Sequence, residues 1–288
     1  MASRMVRLFW AALLLLSFGG EFLFAEPVRV MSWNLRYDNP QDGKNAWQYR
    51  KEWVAEIIRE QGAEVAGFQE VLAGQLEDLK VRLPEMEAYG VGRNDGKSKG
   101  EFAPIFFRRE RFEVLGSGTF WLSPTPEVVG SVGWDAALPR IASWVRLKDR
   151  KSGEELCVMN THFDHRGEKA REESARLIVK MAREKFGGLP LVLTGDFNTR
   201  PGTTPYEILV GEERGEGRGF RDAYVHAAEK PVGPNSTWNG FEEIVPEQRI
   251  DFVFASPRMK VQRVRILEDQ REGRFPSDHL AVVGDVGE

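Results

Sequence analysis

Six short apolar runs in this chain end, or begin, in a residue able to bind a cation or move a proton. Val30-Met31-Ser32-Trp33 runs into Asn34, and Val65-Ala66-Gly67-Phe68-Gln69 runs into Glu70. The run from Leu156 to Thr161 leads to His162, and that from Leu191 to Gly195 leads to Asp196, with Asn198 two places on. Two runs are reversed: Asp251 precedes Phe252-Val253-Phe254, and Asp278-His279 precedes Leu280-Ala281-Val282-Val283. Asn, Asp and Glu are poor strand residues, so their recurrence at strand ends needs a cause. Singly, each has a bland one. Asp196 with Asn198 could open an Asx turn, and Gln69-Glu70 could start a helix whose dipole favours an acid. Jointly they do not, because the chain has only four histidines, His162, His165, His226 and His279, and two stand in this set.

The chemistry open to such a set is narrow. A hard cation such as Mg²⁺ or Mn²⁺ takes oxygen ligands and keeps several waters, so the charge of Glu70 and the neutral oxygen of Asn34 suffice, with a phosphate completing the shell. A phosphoryl transition state needs positive charge and donors around its equatorial oxygens, which the metal, a protonated His162 and the Asn198 amide would supply. The attacking water must be held in line and relieved of a proton by a carboxylate or a carboxylate-oriented histidine. These residues predict a divalent-metal-dependent phosphoesterase.

The elements that must hold these residues alternate between short β-rich runs and amphipathic helices. Val28 to Trp33, Val65 to Phe68, Ile105 to Phe107, Phe112 to Leu115, Ser143 to Leu147, Leu156 to Met159, Leu191 to Leu193, Ile250 to Phe254, Val261 to Ile266 and Leu280 to Val283 read as strands. Trp53, Val54, Ile57 and Ile58 form one helix face, and Leu72, Leu76 and Leu79 another. A long helix from about Glu168 to Phe186 buries Ala175, Ile178, Val179 and Ala182 and stops at Gly187-Gly188. Many strands with a few long helices predict two packed sheets with helices outside, an α/β sandwich. If the last two strands run against the first four, all six polar positions fall on one rim.

Composition sets the surroundings. The chain has 288 residues and eight tryptophans, enough for a sizeable core, and no internal repeat or Ser- or Pro-rich linker divides it. Its net charge of −4 carries no basic footprint of a nucleic-acid binder. Cys157, the only cysteine, lies in an apolar run and reads as a buried inert thiol. Arg4 and Arg7 precede an apolar stretch from Leu8 to Phe18, and Ser17, Gly19, Gly20 and Ala25 follow, the layout of a signal peptide over residues 1–25. A permanent anchor is the alternative, but Gly19, Gly20 and Glu21 interrupt the stretch before a span of roughly 20 apolar residues is reached. The expectation is an exported protein, periplasmic or extracellular, with one catalytic domain over residues 26–288, no stable membrane association and no evident protein partner.

The motifs Ser32-Trp33-Asn34, Gln69-Glu70, Thr161-His162, Gly195-Asp196-Phe197-Asn198, Arg249-Ile250-Asp251 and Ser277-Asp278-His279 occur in that order. Together they resemble the endonuclease/exonuclease/phosphatase superfamily of DNase I-like fold, and the stretches Gly92 to Gly96, Gly100-Glu101-Phe102 and Gly133 to Arg140 resemble a largely uncharacterised bacterial branch of it. The resemblance implies a four-layer α/β sandwich with the site at one edge of two facing, mixed sheets. It implies Asn34 and Glu70 as metal ligands with Asp278 assisting, and His279 as the catalytic histidine, oriented by Asp251. It further implies that Asp196 positions or deprotonates the water, either it or His279 being the base, while Asn198 and His162 bind phosphoryl oxygens. Arg36 departs from the abasic-site nucleases, which carry an acid at that place.

Stretches Gly92 to Gly96, Gly100-Glu101-Phe102 and Gly133 to Arg140 are expected to line the substrate pocket, with Arg36, Arg93, Arg140 and Arg166 facing substrate; His165 reads as structural. A long loop from Thr119 to Arg140, with Trp121 and Trp134, suits a wall over a small phosphorylated metabolite, a phosphosugar or phospholipid head group. A secreted nuclease is the alternative, and a catalytically silent binding module comes third, since no catalytic residue is missing.

Overall fold

The computed structural model describes residues 26–211 and 219–287, so the proposed signal segment lies outside the described residues. The strands are β1 (Val28–Asn34), β2 (Val65–Gln69), β3 (Met86–Tyr89), β4 (Ile105–Arg108), β5 (Phe112–Trp121), β6 (Ile141–Asp149), β7 (Glu155–His162), β8 (Leu191–Asp196), β9 (Arg221–Asp222), β10 (Asp251–Ala255), β11 (Lys260–Ile266) and β12 (Val282–Gly287). The helices are α1 (Lys51–Glu60), α2 (Ala73–Arg82), α3 (Glu168–Phe186), α4 (Thr204–Val210) and α5 (Ala223–His226). They make two six-stranded sheets, ordered β11-β12-β1-β2-β4-β3 and β5-β6-β7-β8-β10-β9.

The core divides into the layers expected of a sandwich. Val30, Val65, Val145, Val158, Val192, Val253 and Val286 meet between the sheets. Trp33, Phe68 and Phe106, on the outer face of the first sheet, pack against Val54, Ile57 and Leu79 of α1 and α2. Phe252 and Phe254, outside the second sheet, pack with Ile178 of α3 and Leu209 of α4. Strands buried on both faces tolerate polar residues only at their ends or where a partner waits. Asn160 is such an exception: its amide donates to Phe68 O and Pro104 O and its oxygen accepts from Gln69 Nε2 at 2.7 Å, tying the sheets together.

The rim forms, but from two sheets. β1 and β2 are parallel, as are β7 and β8, while β12 opposes β1 and β10 opposes β8. Asn34, Glu70 and Asp278-His279 therefore belong to one sheet edge, and His162, Asp196 and Asp251 to the edge facing it. Two expectations need correcting. Thr119 to Trp121 is the end of β5, paired with Ser143 to Ile141, so the loop begins at Leu122. Leu280 is not yet in β12: its N–H bonds Thr237 O, and His279 bridges to Trp238.

Candidate active site

On the first sheet edge the chain turns sharply just after Asn34 and again at Glu70. Arg36 and Glu70 hold left-handed backbone, φ 55° and 61°, a conformation sparsely populated outside glycine. The turn at Glu70 swings its carboxylate back onto β1, where Oε1 accepts from Asn34 Nδ2 at 3.0 Å and Oε2 from the Tyr37 N–H at 3.1 Å. Asn34 Nδ2 also donates to Asp196 Oδ2 at 2.9 Å, while its oxygen accepts the Arg36 N–H at 2.9 Å. Asn34 thus presents nitrogen, not oxygen, to the carboxylates, and bridges the two sheet edges. Asp278 faces Arg36 Nε at 3.9 Å. Burial, and then the charge of Asp278, push the Glu70 pKa up. Glu70, its ionisation opposed, together with the neighbouring Asp278 carboxylate, forms an oxygen donor set that a hard divalent cation suits.

On the opposite edge, Asp251 is fully buried and holds His279 Nδ1 at 2.8 Å. Thr237 Oγ1 positions that aspartate by accepting the N–H groups of Ile250 and Asp251, each at 3.0 Å. His279 Nε2 lies 3.8 Å from Asp196 Oδ2, and the edge of Trp238 meets the His279 ring at 4.9 Å. Burial opposes charge on His279, but Asp251 and Asp196 outweigh it and raise its pKa to about 10, so the ring is an imidazolium at neutral pH. Burial and Asp251 raise Asp196 to about 6. Asp196, Asp251 and His279 also place one potential ligand atom each within 4.8 Å of one another, a candidate metal centre; a cation there would have to displace the His279 proton.

His162 behaves differently from expectation. Burial, then the cations of Arg140 and Arg93, lower its pKa well below the ordinary value, so it is neutral rather than protonated. Its Nε2 lies 3.1 Å from Asn198 Nδ2 and accepts from that amide, leaving the proton on Nδ1. That nitrogen is buried without a hydrogen bond and points at Glu101 Oε2, 3.8 Å away. Asn198, itself left-handed at φ 46°, donates its backbone N–H to Asp196 Oδ1 at 2.9 Å.

The arginines expected to face substrate are largely committed elsewhere. Arg93 grips Glu101 through both Nη atoms at 2.7 and 2.9 Å. Arg140 reaches Asp164 at 3.3 Å and His165 Nδ1 at 2.9 Å, and Arg36 pairs with Asp42 at 3.0 and 3.1 Å. Asp164 is held by the N–H groups of Ala137, Arg166 and Gly167, which, against the cost of burial, keep its pKa at about 2. Arg166 is exposed and its backbone, not its side chain, joins this network. Arg93 Nε and Arg140 Nη1 remain buried without partners. His165, read as structural, is an acceptor that fixes Arg140. Glu101 and Thr237 escaped the sequence reading as individual residues; the stretch Gly100-Glu101-Phe102, expected to line the pocket, contained the first, but nothing marked Thr237.

This fold and site define a family. Residues 31–279 match the Endonuclease/Exonuclease/phosphatase family. The chain belongs to it, and so to the hydrolases of phosphoester bonds. It is 42% identical to an endonuclease/exonuclease/phosphatase from Bacteroides vulgatus, over 90% of this chain and 98% of that one, with a TM-score of 0.85. A Bacteroides thetaiotaomicron mannosyl-6-phosphatase is 38% identical, over 91% of this chain and all (100%) of that one, again with a TM-score of 0.85. Nocturnin of Drosophila melanogaster is 24% identical over 311 residues, which cover 90% of this chain but 46% of that protein, so the chain spans less than half of this relative. It spans 30% of a 25% identical protein from Acanthamoeba polyphaga mimivirus.

Proposed function

We propose that this protein is a divalent-cation-dependent phosphatase acting on a small phosphorylated metabolite of phosphosugar type. The observation that carries the reaction is the His279–Asp251 dyad set against Asp196, with Glu70 and Asp278 beside it. His279 donates from Nε2 to a phosphoryl oxygen, stabilising the charge that develops there. Asp196, ionised above about pH 6, takes the proton of the attacking water. The charge states favour this division, since an imidazolium cannot act as a base. Asn198 Nδ2 spends its two hydrogens on His162 Nε2 and Phe163 O and so fixes the ring, leaving neutral His162 to donate a hydrogen bond from Nδ1 toward Glu101 or a phosphoryl oxygen. Glu70 and Asp278 hold the cation, Mg²⁺ or Mn²⁺, which supplies Lewis-acid charge to the phosphate when bound.

The small substrate is supported by the paired arginines. A protein that neutralises several nucleic-acid phosphates needs uncommitted cations on one face, whereas Arg36, Arg93 and Arg140 each pair with a carboxylate of their own wall. The likeness to a mannosyl-6-phosphatase over its whole length supports the same reading. The test is kcat/KM for hexose 6-phosphates, a diester and single- and double-stranded DNA, with Mg²⁺ or Mn²⁺ and at several salt concentrations. Faster cleavage of DNA, falling steeply with salt, would replace this reading by a secreted nuclease. Export by the segment 1–25 belongs to the proposal; protein from an exporting host should begin near Glu26, as mass measurement would check.

A further inference from the structure

Arg50, the residue preceding α1, is 1% exposed, yet among the described residues no carboxylate pairs with it. Each bond of its guanidinium goes to a backbone carbonyl. Nε donates to Asn45 O at 2.5 Å, Nη1 to Leu35 O and Pro276 O, both at 2.8 Å, and Nη2 to Arg36 O at 3.2 Å. The rings of Trp47 and Phe241 lie 5.4 and 5.3 Å from its central carbon, within cation–π range. Burying a cation without an ion pair is expensive, and even a buried ion pair is often no more stable than the apolar side chains that replace it. Fold stability alone therefore accounts poorly for this residue.

Its four acceptors point to another role. Leu35 and Arg36 directly follow Asn34 at the exit of β1, and Pro276 stands two residues before Asp278. One rigid, planar fork thus sets the distance between the segment that carries Asn34 and receives Glu70 and the segment that carries Asp278 and His279. Ser277 Oγ to Asn34 O at 2.6 Å and Trp33 Nε1 to His279 O at 3.0 Å join the same segments, but neither of these ties reaches Arg36. The left-handed turn at Arg36 leaves its carbonyl pointing inward, where Arg50 and Gln75 Nε2, at 2.9 Å, both bond it.

We propose that Arg50 is a positioning residue for the cation site, and that affinity for Mg²⁺ or Mn²⁺ depends on its guanidinium fork. The proposal rests on Glu70 and Asp278 being the ligands. Outer-layer partners of metal ligands typically contribute about 10–100-fold to affinity or activity, and lysine, a single point donor, cannot span four carbonyls on three segments.

The test measures Mn²⁺ and Mg²⁺ binding by calorimetry, without substrate, on the wild type, Arg50→Lys and the control Arg111→Lys. Arg111 is a buried arginine too, but it ties Glu64 and Asp149 at the other end of the sheets. Arg50→Lys should weaken cation binding about 10-fold or more. Arg111→Lys should lower Tm while leaving cation affinity within about 2-fold. Equal affinity in Arg50→Lys and wild type would overturn the proposal alone; a wild type that binds neither cation would overturn the metal reading with it. If Arg50→Lys does not fold, hydrogen exchange of the wild type decides. Added Mn²⁺ should protect amides 45–50, which hold no ligand, together with 34–37 and 276–279. Protection restricted to the ligand segments would refute the role.

Discussion

Asp251→Asn isolates the electrostatic half of the dyad. Asparagine keeps the shape and an acceptor oxygen within reach of His279 Nδ1, now at 2.8 Å, and Thr237 still holds the backbone. What disappears is the buried charge that does most to overcome desolvation of the imidazolium. If the His279 pKa falls from about 10 to its ordinary 6.5, the protonated fraction at pH 8.5 drops from nearly all to roughly 1%, about a 100-fold loss. At pH 6 the same change removes only about a quarter of the imidazolium. The variant's deficit should therefore grow with pH. The assay is kcat/KM from pH 5 to 10.5 at saturating cation. Wild type should show an acid limb near 6, from Asp196, and an alkaline limb near 10, from His279. In Asp251→Asn the alkaline limb should move to 6.5 or below. An unmoved limb with near-normal rates would refute the assignment of His279 as the charged donor, and a pH-independent loss would leave orientation as the only role of Asp251.

Glu70→Ala should need far more Mg²⁺ for half-activation and recover partly at high Mg²⁺; full activity of the wild type after exhaustive EDTA treatment would rule the cation out. Gly67→Ala should destabilise the fold by about 1–3 kcal/mol or more in urea denaturation, because its added Cβ would lie 2.0 Å from Thr194 Oγ1 and 2.6 Å from Asn160 Oδ1 where the sheets meet. The raised His279 pKa contributes stability that is fully present below pH 6.5 and lost as pH rises through about 10. The Tm advantage of wild type over His279→Gln should shrink across that window, and a constant difference would contradict it.

How much of this could be read from the chain depends on what each residue's neighbours had to decide. Strands buried on both faces push polar groups to their ends, so Asn34, Glu70, His162, Asp196, Asp251 and His279 announced themselves through local pattern alone, and the rim followed from strand direction. Arg50 could not be found in this way. In the stretch Tyr49-Arg50-Lys51-Glu52 it reads as one charge of a solvated helix start, and its burial is set by carbonyls 15 and 226 residues away. The four rim arginines were visible, but not the carboxylates that bind three of them: Glu101 reaches Arg93 only because the loop between Gly92 and Gly100 folds tightly, and Asp164 meets Arg140 across separate loops. Charge states lie furthest from the sequence. His162 and His279 both follow polar residues at strand ends, yet one is neutral and the other an imidazolium. Both rings lie close to Asp196, at 3.5 and 3.8 Å, but Arg140 and Arg93 oppose charge on His162 while Asp251 and Asp196 favour it on His279, so the chemistry each histidine can perform is decided by tertiary neighbours that no local motif encodes.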